Sequence, residues 1–226
     1  MVTLPVVTLP GGLDPVVAVF GTFGAVWGVA ADRIAARWAA HEDGSVRKAD
    51  WRTVVVVAFG IVALAMVPVR FGSAEERALF GVYFAALVLL MGTDLDQRLL
   101  PDIVTLPLIV LGLAALAWGG DSLVSRQSPW LVIVGAILVP GLMLAASLPF
   151  GEGAFGLGDV KLLVSVGLLA GFVRIVLAAF IGAMLGGVGI AALLVARRVT
   201  LKSHVPYGPF LIAGAVWAML LPAASG

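Results

Sequence analysis

The sequence has no cysteine and only two histidines, His41 and His204. Without cysteine there is no disulfide, no thiolate metal site and no cysteine nucleophile. Two histidines are a poor basis for a zinc centre. No metal and no cofactor is therefore expected. Charge is scarce as well. Charged residues make up 12% of the chain and nearly cancel to a net +1, with no basic tract of the kind that binds nucleic acid.

Apolar side chains fill the space these absences leave. The 226 residues are 62% hydrophobic, with a mean hydropathy of +1.13, far above a soluble domain of this length. Apolar blocks at about 15–31, 53–69, 76–93, 103–119, 130–148, 160–174, 175–196 and 207–223 suggest membrane spans. They predict an all-α, polytopic membrane helical bundle of about eight transmembrane helices, built as a single domain over 1–226. Only Gly171 and Arg174 interrupt the sixth and seventh blocks. One bent helix there would lower the count to seven and move the C-terminus to the other side.

Lysine and arginine placement sets the orientation. With the N-terminus outside, the inner connections carry Arg33, Arg37, Arg47, Lys48, Arg52, Arg98, Lys161, Arg197, Arg198 and Lys202, and the outer ones only Arg70, Arg77, Arg126 and Arg174. This bias predicts an N-out, C-out protein. The stretch MVTLPVVTLPGGLDP lacks the basic start of a secretory signal and reads as a short tail on the first span. The longest polar stretch, Asp32–Arg52, reads as a short cytoplasmic loop whose start prolongs the first span, with Trp38 and Trp51 at headgroup depth. Gly182 and Gly186 form a small-xxx-small pair that permits close helix contact.

Two junctions between apolar blocks stand out. TDLDQRLLPD, 93–102, holds Asp94, Asp96 and Asp102, and FGLGDVKLL, 155–163, holds Asp159. On a helix Asp94 and Asp96 point to nearly opposite sides, so one faces the bundle and the other the cytosol, and they cannot pair with each other. Asp102 follows Pro101, which disfavours helix at Leu100 and can begin the next one; Asp102 then stands at a helix N-terminus, suited to capping. Asp159 can be a cap too. Gly156 and Gly158 allow close approach of another backbone, including an extended substrate segment. Two carboxylates brought together can share a proton and hydrolyse a peptide bond as a base–acid pair. Ionisable groups in membranes are candidates for function by default. The plain alternative is two solvated interfacial loops.

The pattern Asp94 to Pro101–Asp102, then GLGDVKLL, then HVPYGPFLIAGA (204–215) resembles the type IV prepilin peptidases, polytopic GxGD aspartic peptidases of the cytoplasmic membrane. The resemblance covers most of the chain from about Val82 onward. It implies Asp94 and Asp159 as the catalytic pair and Gly156 and Gly158 as the family's GxG. It also implies Lys161 as the lysine that follows and Pro206–Phe210 as the C-terminal proline–glycine turn. The implied reaction removes a short basic leader from type IV prepilin or pseudopilin substrates, cutting after a glycine at the cytoplasmic membrane face. The independent count of basic residues puts both acids at that face.

Two departures accompany the resemblance. Many members carry a cysteine-paired cytoplasmic insertion where this chain has Asp32–Arg52. Many also methylate the new N-terminus and have a GSFLN-like stretch where this chain reads GTFGAVWGVAADRIAARW. Peptidase activity alone is therefore expected. Of the neighbours, Asp96 either tunes Asp94 or is a solvated acid, and Lys161 either acts on Asp159 or, the preferred reading, faces lipid headgroups. Pro206 and Asp102 are supporting. The rival functions are a proton- or cation-coupled transporter and a non-enzymatic scaffold of pilus or secretion assembly. Substrate identity and oligomeric state are not written in the sequence.

Overall fold

A computed structural model describes residues 14–38, 46–119, 127–148, 156–197 and 207–222. Among them are eight α-helices and no strand: α1 Pro15–Trp38, α2 Trp51–Arg70, α3 Ala74–Gln97, α4 Asp102–Gly119, α5 Pro129–Ser147, α6 Leu157–Ala170, α7 Phe172–Val195 and α8 Gly208–Leu220. Five of them (α1, α2, α3, α5 and α7) are long and apolar enough to cross a membrane, and α4 and α8 are shorter apolar helices. The expected all-α membrane bundle is thus what the chain forms. Helices α6 and α7 are separate. They break at Gly171, whose φ of 85° is one that side-chain-bearing residues rarely adopt.

The chain divides into two compact units, Met1–Gln97 and Arg98–Gly226, where the sequence suggested one domain over 1–226. In the first, α1 packs on α2 and α3, and α2 on α3. Glycines allow the closest approach: a Cβ on Gly24 would lie 2.3 Å from the Gly60 carbonyl oxygen, so no larger residue fits that α1–α2 crossing. Phe71, Phe80 and Phe84 form a ring cluster toward the other end, with Phe71 and Phe80 stacked at 3.8 Å. Asp50 caps α2 by accepting from the Arg52 N–H at 2.9 Å, while Thr53 Oγ1 accepts from the Asp50 N–H.

In the second unit α6 is the hub, touching α4, α5, α7 and α8. The expected close packing of α7 holds at Gly182, which meets Leu211 and Gly214 of α8, whereas Gly186 faces the Tyr207 and Phe210 rings. Arg174 is not an outer-loop charge, as its place in the sequence suggested. It lies buried in the first turn of α7 and donates to the Ala218 carbonyl in the last turn of α8, where cations and donors are favoured. The Phe172 N–H at the start of α7 donates to Gln127 Oε1 at 2.7 Å.

Candidate active site

Each unit presents one of the two aspartates, and each is described within its own unit. Asp94 stands one turn before the end of α3, 5% exposed, beside the fully buried Thr93. Gly92, two residues before Asp94, rests on α1, where a Cβ would be 3.3 Å from the Ala35 methyl. One turn further, Gln97 Nε2 donates to the Ala35 carbonyl at 2.9 Å. The end of α3 is thereby held against α1 on both sides of Asp94.

Asp96 is not the solvated acid considered as one reading, nor does it face the cytosol. Its side chain is fully covered, and its Oδ1 accepts from Arg47 Nε at 2.5 Å and Arg52 Nη1 at 3.0 Å. Arg47 also bonds Asp50 at 2.6 Å and, through Nη2, Asp32. Asp32, buried on α1, additionally accepts from Arg33 and from Thr53 Oγ1 at 2.8 Å. Asp32, Arg47 and Arg52 were not singled out from the sequence. The available signal was the D-x-x-T cap at Asp50–Thr53, with Arg47 before it and Arg52 within it, at the foot of an apolar block.

In the second unit Asp159 occupies the third position of α6. Its Oδ2 accepts from the Gly156 N–H at 3.2 Å, so the carboxylate closes the helix start and lies where the helix dipole favours an anion. The cap reading is correct for Asp159. Gly158 is needed for close approach: a Cβ there would lie 2.9 Å from Leu100 Cβ. That bare face is filled by Leu100 and is not open to a substrate backbone; Gly156, exposed, has only its own turn nearby. Lys161 does not reach for lipid, since its Nζ pairs with Asp102 Oδ1 at 2.6 Å. Asp102 begins α4, as expected, behind Pro101, whose carbonyl accepts from Val104 and Thr105. Tyr207, just ahead of α8, has its hydroxyl pKa pushed up by burial first and by the Asp159 carboxylate second, which sets the two in electrostatic reach. Pro206 and His204 lie outside the described residues.

A family model, the type IV leader peptidase family, matches residues 81–192, a segment that includes both Asp94 and Asp159. Residues 81–192 belong to the type IV leader peptidase family. The prepilin leader peptidase/N-methyltransferase of Stutzerimonas stutzeri is 33% identical over 133 residues, 57% of this chain and 44% of that protein. That of Burkholderia pseudomallei (strain K96243) is 30% identical over 162 residues, 71% and 52% respectively. The Bacillus subtilis protein of the same description is 26% identical over 152 residues, 67% and 59%. The chain spans about half the length of the first of these relatives. No solved structure matches it. Every sequence-predicted site residue except Pro206, which lies beyond the matched segment, has a described position at the end of α3 or at the starts of α4 and α6.

Proposed function

We propose that the protein is a membrane aspartic endopeptidase of the GxGD type, and that its two units work as one peptidase domain. Its reaction removes the short basic leader of type IV prepilin or pseudopilin-like proteins at the cytoplasmic face of the inner membrane. The observation that carries this is the placement of Asp94 and Asp159, each at a helix end, both inside the leader peptidase segment 81–192. The relatives' printed description, prepilin leader peptidase, supports the substrate class. The basic-residue bias supports the N-out, C-out orientation that turns both helix ends toward the cytoplasm.

In the proposed chemistry one carboxylate is ionised and the other protonated. The ionised one takes a proton from water as the water oxygen attacks the scissile carbonyl carbon. The protonated one gives its proton to the carbonyl oxygen, forming a tetrahedral diol. The C–N bond then breaks as the amide nitrogen is protonated by the first carboxyl and the second recovers the diol proton, so the pair ends as it began. Water is the nucleophile and no covalent enzyme intermediate forms. The substrate helix has to unwind at the cut, because a regular helix shields its carbonyls. The proposed activity is peptidase alone, because the first span reads GTFGAVWGVAADRIAARW where methylating members have a GSFLN-like stretch.

The test is cleavage of a co-expressed prepilin by the wild type, Asp94→Asn, Asp159→Asn and Glu75→Gln, an exposed carboxylate in the first turn of α3. Loss of about 10²–10⁴-fold in both aspartate variants, with Glu75→Gln active and membrane levels equal, is the expected result. Activity surviving in either aspartate variant would refute the pair.

A further inference from the structure

The charged cluster of the first unit joins all three of its helices. We propose that Arg47 is a positioning residue that fixes the end of α3, and with it Asp94, by bonding one carboxylate from each helix. The proposal rests on the reading of Asp94 as a reacting group.

Arg47 is well placed for this and little else. Its side chain is 12% exposed, and its guanidinium reaches Asp96 on α3, Asp32 on α1 and Asp50 at the cap of α2. Its carbonyl takes a further bond from Arg33 Nη1 at 3.1 Å, which pins the residue's own backbone. A guanidinium presents five donors in one rigid plane, and only such a group can join three carboxylates at fixed angles; an ammonium is a single point charge. The other cations each bond fewer carboxylates: Arg33 bonds Asp32, with Thr53 and the Arg47 carbonyl, and Arg52 bonds Asp96. Arg47 is therefore the hub. Charge balance points the same way. Asp32, Asp50 and Asp96 face Arg33, Arg47 and Arg52, so the cluster has no net charge with which to attract a ligand. Its geometry is about holding helix ends, and Asp96 lies two residues from Asp94.

A merely cohesive role would lower the amount of folded protein and leave the chemistry of each molecule alone. A positioning role lowers turnover itself. The experiment uses the full chain in lipid nanodiscs with a prepilin-like peptide bearing a basic leader, a glycine and an apolar helix. Arg47→Met is expected to lower kcat by about 10- to 100-fold, the scale of a misplacement near 1 Å, with KM changed less than about threefold. Arg47→Lys is expected to recover part of the loss. Full kcat in Arg47→Met, or a loss confined to KM, would overturn the proposal. Should Arg47→Met fail to accumulate, kcat per folded molecule in Arg47→Lys, Asp96→Asn and their double variant decides. A combined loss of kcat smaller than the product of the single losses supports positioning through that bond, and full kcat in the singles or losses that multiply refute it. A wild type that cleaves no prepilin-like peptide would instead count against the peptidase reading.

Discussion

Asp94 lies one turn from the C-terminal end of α3, while Asp159 lies in the first turn of α6. A helix start offers free N–H groups to a carboxylate and a last turn offers none. The two units respond accordingly. The second holds its aspartate with backbone, the Gly156 N–H, and seats the helix start by omitting a side chain at Gly158. One partly exposed ion pair, Lys161–Asp102, joins α6 to α4. The first unit cannot use the helix backbone that way and surrounds the end of α3 with buried arginine–carboxylate bonds. The same acid is thus carried at opposite helix poles by different means: packed backbone in one unit and fixed charges in the other.

Substitutions test that contrast, beginning with the largest expected effect. Asp96→Asn removes one partner from a buried network and is expected to cost about 3–5 kcal/mol, toward the lower figure because Arg47 keeps Asp32 and Asp50; denaturation in detergent measures it. Gly158→Ala drives a methyl against Leu100 and is expected to cost about 1–3 kcal/mol by overpacking. The contact is with the Leu100 Cβ, so Gly158→Ala should cost less in a Leu100→Gly background, which lacks that atom, than in the wild type. Arg98→Gly acts in the opposite direction. Arg98 has a φ of 53°, and glycine there is expected to raise stability by about 1 kcal/mol or less, read as a higher thermal midpoint. Lys161→Met should change stability by no more than about 1 kcal/mol, as for other exposed pairs. A Lys161→Met effect as large as that of Asp96→Asn would erase the distinction between the units.

Most of this fold was legible from apolar block lengths, because a bilayer demands long apolar helices whatever their neighbours. The break between α6 and α7 was open in sequence, since a glycine in an apolar run either continues a helix or ends it, and only the backbone angle at Gly171 decides. The site was legible in its acids and in the cap role of Asp159. Partners were not. Lys161 and Asp102 are far apart in the chain, and a lysine beside an apolar helix suits a lipid headgroup equally well. Asp96 stayed open between two readings because its burial depends on Arg47 and Arg52, which come from the foot of another helix. Arg174 was misjudged for the same reason: a charge between apolar blocks resembles a loop until the Ala218 carbonyl that receives it is known.

Helix α6 has 14 residues, about 21 Å at 1.5 Å per residue, and hydrocarbon is about 30 Å thick. It cannot reach both faces of a bilayer. Its Asp159 end carries the exposed Lys161–Asp102 pair, while Leu168, Leu169 and Ala170 at the other end are buried. The shortfall therefore belongs at the dry end, where the protein itself seals the turn at Gly171. In the proposed reaction water is consumed, and a membrane enzyme must admit it without leaking protons down the potential. A short helix exposed at its Asp159 end and buried at the other fits that proposal, since water would then reach Asp159 from one side only.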